Sequence, residues 1–290
     1  MKIKRFGMFL FGAFTAAISL QASNPCPGGG LTCIEIANGN NALTGNPISI
    51  TTQTGETVDL SPYTGTLSQT VGATTTSSAI TLYCDDLNNL ISTGQQYNMN
   101  VTRLTPGASL ANTQFDTANP AGSSGNLPGT SIPIPTGTTL YDEEAWLYTQ
   151  MMDLSGGNLS SANITALQEA AWELTSNNLT SAEENNANAW LTAAYNAVVN
   201  NQTAGSVNGI AFQAASYSAW YVYTDPASAD DASSTGYQEF LAYSGGGGGQ
   251  GVITNGLGTP EPSTFWLFGI ALVAGAFLTR GKAFGKPKVV

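Results

Sequence analysis

The sequence predicts an α+β protein: a β sandwich or barrel with a helical insertion of three helices, plus an N-terminal signal helix and a C-terminal transmembrane helix. Three observations lead there. Residues 31–103 carry short alternating or β-branched runs between Gly and Asn turns. Residues 141–199 switch to apolar residues at three-four spacing, and strand-like runs return after Gly205. Both ends are basic and apolar, unlike everything between them.

The chain opens with Lys2, Lys4 and Arg5, followed by a thirteen-residue apolar run from Met8 to Leu20. With Leu20 and Ala22 at a cleavage-site spacing, residues 1–22 form a secretory signal peptide and the mature chain starts near Ser23. A retained signal anchor is the alternative. The body, residues 23–244, is long enough for one large domain. Its first strands are expected at Pro47–Thr52, Glu56–Leu60, Ala79–Cys84 and Tyr97–Thr102. Residues 105–138 are rich in Pro, Gly, Ser and Thr and are expected to form a long surface loop. Helices are expected at Tyr141–Met152, Ser161–Thr175 and Ser181–Val199, with Asp142, Ser161 and Ser181 as N-terminal caps. Strands follow at Gly209–Ala214, Tyr217–Tyr223 and Gln238–Ser244, and residues 245–258 form a Gly-rich linker.

The last segment, 259–290, places an acidic Thr-Pro-Glu-Pro-Ser motif before an apolar stretch, Phe265–Leu278, and then Arg280, Lys282, Lys286 and Lys288. As a helix the fourteen-residue stretch spans about 21 Å. That is shorter than the ~30 Å hydrocarbon core, and flanking Ser and Thr can extend it through the interface. The basic end suits the cytoplasmic side. This order of motif, membrane segment and positive stop resembles the PEP-CTERM sorting tail, whose motif centres here on Pro260, Glu261 and Pro262. The resemblance implies export, recognition by a membrane sorting enzyme of the exosortase type, and membrane anchoring through residues 265–278 before processing. The protein would end at the cell surface or in an extracellular, biofilm-type matrix. A tail anchor that is never processed is the plainer alternative.

Charge narrows the function classes. Of eight Lys and Arg, three lie in the signal and four in the tail, so residues 6–279 hold Arg103 alone against nineteen acids, a formal charge of −18. Such a surface repels phosphate backbones, which excludes nucleic acid as a partner. The chain has no histidine, so Ser-His-Asp and Cys-His nucleophile pairs and His-ligated metal sites are excluded. No metal or cofactor is expected.

An exported chain can hold disulfides. Cys26 and Cys33 bracket Pro-Gly-Gly-Gly-Leu-Thr, a loop able to close a small disulfide ring, which leaves Cys84 unmatched. Cys84 ends an apolar strand in Leu82-Tyr83-Cys84-Asp85-Asp86, and Gln168 lies in Leu167-Gln168-Glu169-Ala170-Ala171-Trp172 on the second helix. These two stretches, 84 residues apart, together resemble the thioester domains of bacterial surface adhesins, which pair an aromatic-Cys-x-Asp element with an apolar-Gln-x-Ala-x-Trp element. The resemblance implies an internal thioester from the Cys84 sulfur to the Gln168 side-chain carbonyl, formed with loss of ammonia. A partner amine would then attack that carbonyl and form an isopeptide bond. Tyr83, Asp85 and Trp172 are the supporting residues, and the partner is an amine-bearing surface or matrix polymer. A thiol suits the step as a strong nucleophile near neutral pH.

The rival reading makes Cys84 an ordinary buried residue. The protein would then be a non-covalent matrix or binding module for ice or a polysaccharide, although Thr74-Thr75-Thr76 alone makes no regular ice-binding array. Asp142, Glu143 and Glu144 offer either a ligand or divalent-ion surface or a favourable offset of the helix dipole. The pairs Glu183-Glu184 and Asp230-Asp231 are similar, and with unfixed separations they give a hydrolase little support. The protein is therefore expected not to be an enzyme.

Overall fold

A computed structural model describes residues 26–244, apart from short stretches at 28–29, 45, 53–54, 56, 88, 90, 117–124, 154–159, 177–178 and 230–235. The chain divides into two compact units, 1–250 and 251–290, and every described residue belongs to the first. The signal peptide (1–22), the linker (245–258), the sorting motif Pro260, Glu261, Pro262 and the segment 265–278 lie outside the described residues, as do Asp230 and Asp231. Among the described residues no helix is long and apolar enough to cross a membrane.

The fold is α+β: an antiparallel sheet forming a nearly closed barrel, with three helices inserted in the chain. The main sheet contains β1 (Thr32–Asn41), β4 (Tyr63–Val71), β5 (Thr74–Cys84), β6 (Gln96–Asn98), β7 (Asn100–Arg103), β10 (Trp220–Thr224) and β11 (Phe240–Tyr243). Its order is β6-β1-β4-β5-β11-β10-β7. The two edge strands β6 and β7 are consecutive in the chain, with Met99 alone between them. One short run of chain therefore caps both edges, which removes the exposed ladders an open sheet would leave. Two small hairpins lie apart from this sheet: β2 (Ser49–Thr51) with β3 (Thr57–Asp59), and β8 (Ser206–Val207) with β9 (Ile210–Ala211).

Strand alternation divides the apolar residues into two cores. Ile80, Leu82 and Cys84 of β5 point with Phe240 and Ala242 of β11 into one cluster, which also holds Ile34, Leu60 and Tyr97. Tyr83 and Leu241, one residue out of phase, point into the other, against the helices. That second cluster holds the helices' apolar faces, including Trp146, Leu167 and Trp190. Trp172 departs from its helix neighbours and belongs to the first cluster, beside Cys84. Behind Cys84, the rings of Tyr83, Tyr148 and Trp220 pack with centroids 4.9 to 6.1 Å apart.

The helices are α1 (Gly137–Asp153), α2 (Ser161–Thr175) and α3 (Ser181–Val198). From Ala166 to Thr175 every residue of α2 is buried, as expected of a helix covered on all sides. The expected caps need correction. Ser160, not Ser161, caps α2 by accepting from the Asn163 N–H at 3.3 Å. Thr180, not Ser181, caps α3 in a reciprocal capping box with Glu183. Asp142 is no cap, because α1 starts five residues earlier at Gly137 and has no acid in its first turn.

Other expectations also shift. The long stretch after Arg103 is not merely a surface loop, since Leu110, Phe115, Leu127 and Ile132 are buried in the helical core. The strand expected at Gly209–Ala214 shrinks to Ile210–Ala211, and Tyr217–Ala219 makes a 3-10 turn before β10. Strands β1 and β4 had no separate expectation. Gly65 of β4 permits their pairing: a Cβ there would lie 2.7 Å from the Glu35 carbonyl oxygen.

Candidate functional site

Cys84 is the last residue of β5, and the sheet's alternation turns its side chain inward, where it is fully buried. Gln168 lies mid-helix on α2, also fully buried. The two meet: the Gln168 Nε2 amide donates to the Cys84 carbonyl oxygen at 2.7 Å. Ala170 and Ala171, buried beside Gln168, present little bulk on this part of the helix.

The Cys84 sulfur and both polar atoms of the Gln168 amide have hydrogen-bond partners. The Cys84 Sγ accepts from Trp172 Nε1 at 3.2 Å and Gln238 Nε2 at 2.6 Å, and its thiol donates to the Asp86 carbonyl at 3.4 Å. The Gln168 Oε1 accepts from the Ser61 hydroxyl in a short hydrogen bond. The Gln168 Nε2 also donates to the Tyr148 hydroxyl at 3.5 Å, and that hydroxyl donates to the Cys84 carbonyl oxygen. Ser61 is itself held from behind. The buried Asn41 amide donates to the carbonyls of Leu60 and Ser61 at 3.2 and 2.6 Å.

Burial pushes the Cys84 thiol well above its ordinary range; the Trp172 hydrogen bond opposes this, while the Asp86 and Glu144 charges add to it. The resting sulfur is thus a neutral thiol. Its two N–H donors are placed where negative charge would develop on it. Burial likewise keeps the Tyr148 phenol protonated, with Glu144 and Asp85 reinforcing the shift.

The supporting residues divide by face. Trp172 touches the sulfur. Tyr83 does not; it points to the helical side and stacks on Tyr148. Asp85 belongs to a separate buried acid pair with Glu239. Burial, and next the Glu239 charge, raise the Asp85 pKa far above the carboxylate range, so Asp85 holds a proton beside Glu239. Glu239 accepts from the Gln114 N–H at 2.8 Å, from Tyr141 at 2.7 Å, and from the Thr224 hydroxyl. Burial raises the Glu239 pKa as well, and these three donors oppose that shift, so Glu239 is the better placed of the two to carry a charge.

Asp142, Glu143 and Glu144 are not a solvated helix start. Glu143 and Glu144 are completely buried, and burial raises Glu143 to about 8 and Asp142 to about 6. Among the described residues no group of three or more acids or cysteines is arranged to hold a metal ion. Cys26 and Cys33 are joined as a disulfide, and Cys84 is a free thiol.

Sequence reasoning missed Ser61, Tyr148 and Gln238. Ser61 precedes Pro62 in a turn between β3 and β4, and Gln238 stands just before β11; neither stands in a motif with Cys84. Tyr148 had a findable signal, because it falls on the buried face of a helix whose periodicity is plain.

Comparison with known proteins adds one match. No curated protein and no solved structure matches the chain. Residues 259–282 match the PEP-CTERM protein-sorting motif. The motif marks an exported protein that an exosortase sorts and processes at the membrane.

Proposed function

We propose that the 23–244 domain stores an internal thioester between Cys84 and Gln168 and uses it once, without turnover, to attach the sorted protein covalently to amines of a surface or matrix polymer. The observation that carries this reading is the juxtaposition of Cys84 and Gln168, with Ser61 on the amide oxygen and Trp172 and Gln238 on the sulfur.

In bond formation the Cys84 sulfur attacks the Gln168 Cδ. The C–S bond forms, the C–N bond breaks, and the thiol proton leaves with the amide nitrogen as ammonia. Ser61 would hold the oxyanion and Tyr148 the departing nitrogen, while Trp172 and Gln238 would hold charge on the sulfur. In attachment the order reverses: an amine nitrogen bonds to Cδ, the C–S bond breaks, and the amine's proton ends on Cys84. The elevated thiol pKa makes Cys84 a reluctant leaving group. That favours a long-lived bond, and burial from water protects it further.

Methylamine tests the reading. Treatment of the mature domain should place one N-methyl group on the Gln168 amide and release one alkylatable thiol, at Cys84. Methylamine that leaves Gln168 unmodified would contradict it and favour the non-covalent binding module.

A further inference from the structure

Beside the candidate site lies a cavity of about 250 Å³ whose lining includes Trp172 and Gln238. These are the same two side chains that donate to the Cys84 sulfur. Each therefore contacts the sulfur and also lines the cavity. The walls include Val58, Leu87 and Ile91, of which Val58 and Leu87 are buried. Among the described residues of the lining Asp59 alone is charged, and it stands at an exposed position. Tyr63 also lines the cavity, and its hydroxyl donates to the backbone carbonyl of Asp59.

We propose that this cavity is the entry site for the attacking amine, taking a primary ammonium on a slender aliphatic stem, with Asp59 gathering the cation and the apolar walls admitting the stem toward Trp172 and Gln238. The inference rests on the thioester reading and adds to it a place and a ligand class. The polarity runs in the right order. An ammonium is attracted at an exposed carboxylate in a domain whose sequence carries eighteen acids against one cation, Arg103. It must lose its proton to become a nucleophile, and removal from bulk water past Val58 and Leu87 favours the neutral amine. A carboxylate-bearing nucleophile would be repelled at the same mouth, and a branched one would meet Val58, Leu87 and Ile91.

The test compares methylamine, cationic at neutral pH, with hydroxylamine, which is uncharged there. Rates are followed by intact mass on the wild type, Asp59→Asn and Thr93→Trp, after each chain is checked for the mass deficit of a closed bond. Thr93 lines the cavity from an exposed position outside the core, so the tryptophan fills space without disturbing packing. Asp59→Asn should lower the methylamine-to-hydroxylamine rate ratio about five- to tenfold. Thr93→Trp should slow both nucleophiles about tenfold or more. An unchanged ratio, or a Thr93→Trp chain reacting at the wild-type rate, overturns the entry site and leaves the thioester standing. A wild-type chain of full mass overturns the thioester, and the entry site with it.

Discussion

Ser61→Ala removes one oxygen from the site and isolates the proposed oxyanion donor. Ser61 is fully buried and donates to the Gln168 Oε1. Its backbone is fixed independently by Asn41, so the substitution should leave the turn in place. The ground state loses a donor to a buried carbonyl oxygen, which costs about 1–3 kcal/mol of stability. The transition state loses more, because the charge on that oxygen is larger there. Removal of a single oxyanion donor slows comparable acyl transfers by about 10²–10³-fold, or about 3–4 kcal/mol. The assay is a refolding time course of the disulfide-intact mature domain, sampled by intact mass for the fraction that has lost ammonia. Bond closure in Ser61→Ala should lag wild type by two to three orders of magnitude, roughly the oxyanion-donor range. Closure at the wild-type rate, in a variant that folds, would refute the role of Ser61 and the direction of attack built on it.

Other expectations concern stability and sorting. Glu143 and Glu173 each have pKa values raised by burial to about 8, and Glu169 to about 7. The folded state therefore binds protons more tightly than the unfolded one, and the stability this gives is full below about pH 4 and lost as pH rises toward 8. Denaturant midpoints should fall across that window, by at most about 1.4 kcal/mol per pH unit for each titrating group, and Glu143→Gln should flatten the profile; a midpoint that rises from pH 5 to pH 8 would contradict the burial argument. Gly65→Ala forces a methyl against the Glu35 carbonyl, and the shift of backbone it requires should cost about 1–3 kcal/mol, read as a lower denaturant midpoint. Replacing Pro260 and Glu261 by Ala should leave the C-terminal segment attached, detectable as a heavier mature chain in the membrane fraction. Retention of residues 265–278 in the wild-type mature form would make that segment an anchor only.

The helical half of the fold was legible because three-four spacing over fifteen or more residues is hard to mistake, and α2 falls at Ser161–Thr175 as expected. The caps of α2 and α3 were misplaced by a residue even though Thr180-x-x-Glu183 spells the capping box, and that of α1 by more. Strands β1 and β4 were harder. β1 shifts register between Ile36 and Asn41, and the inward face of β4 reads Tyr63, Gly65, Leu67, with a glycine interrupting the apolar alternation. Cys84 and Gln168 could be singled out because each sits in a local pattern. Ser61 and Gln238 could not, since only the pairing of β4 and β11 on either side of β5 brings the turn before β4 and the approach to β11 to the Gln168 amide and the Cys84 sulfur. The acids of α1 misled for a related reason: the helix extends back to Gly137, so Glu143 and Glu144 fall beneath the fold rather than at its rim.

The intact mass of the wild-type mature domain, purified without amine buffers and with its Cys26–Cys33 bond in place, tests the central claim most directly. A closed bond should leave the chain about 17 Da lighter than its sequence with one disulfide, the mass of one ammonia, and Cys84 closed to alkylation. Full mass with a Cys84 that alkylates on unfolding would contradict the account.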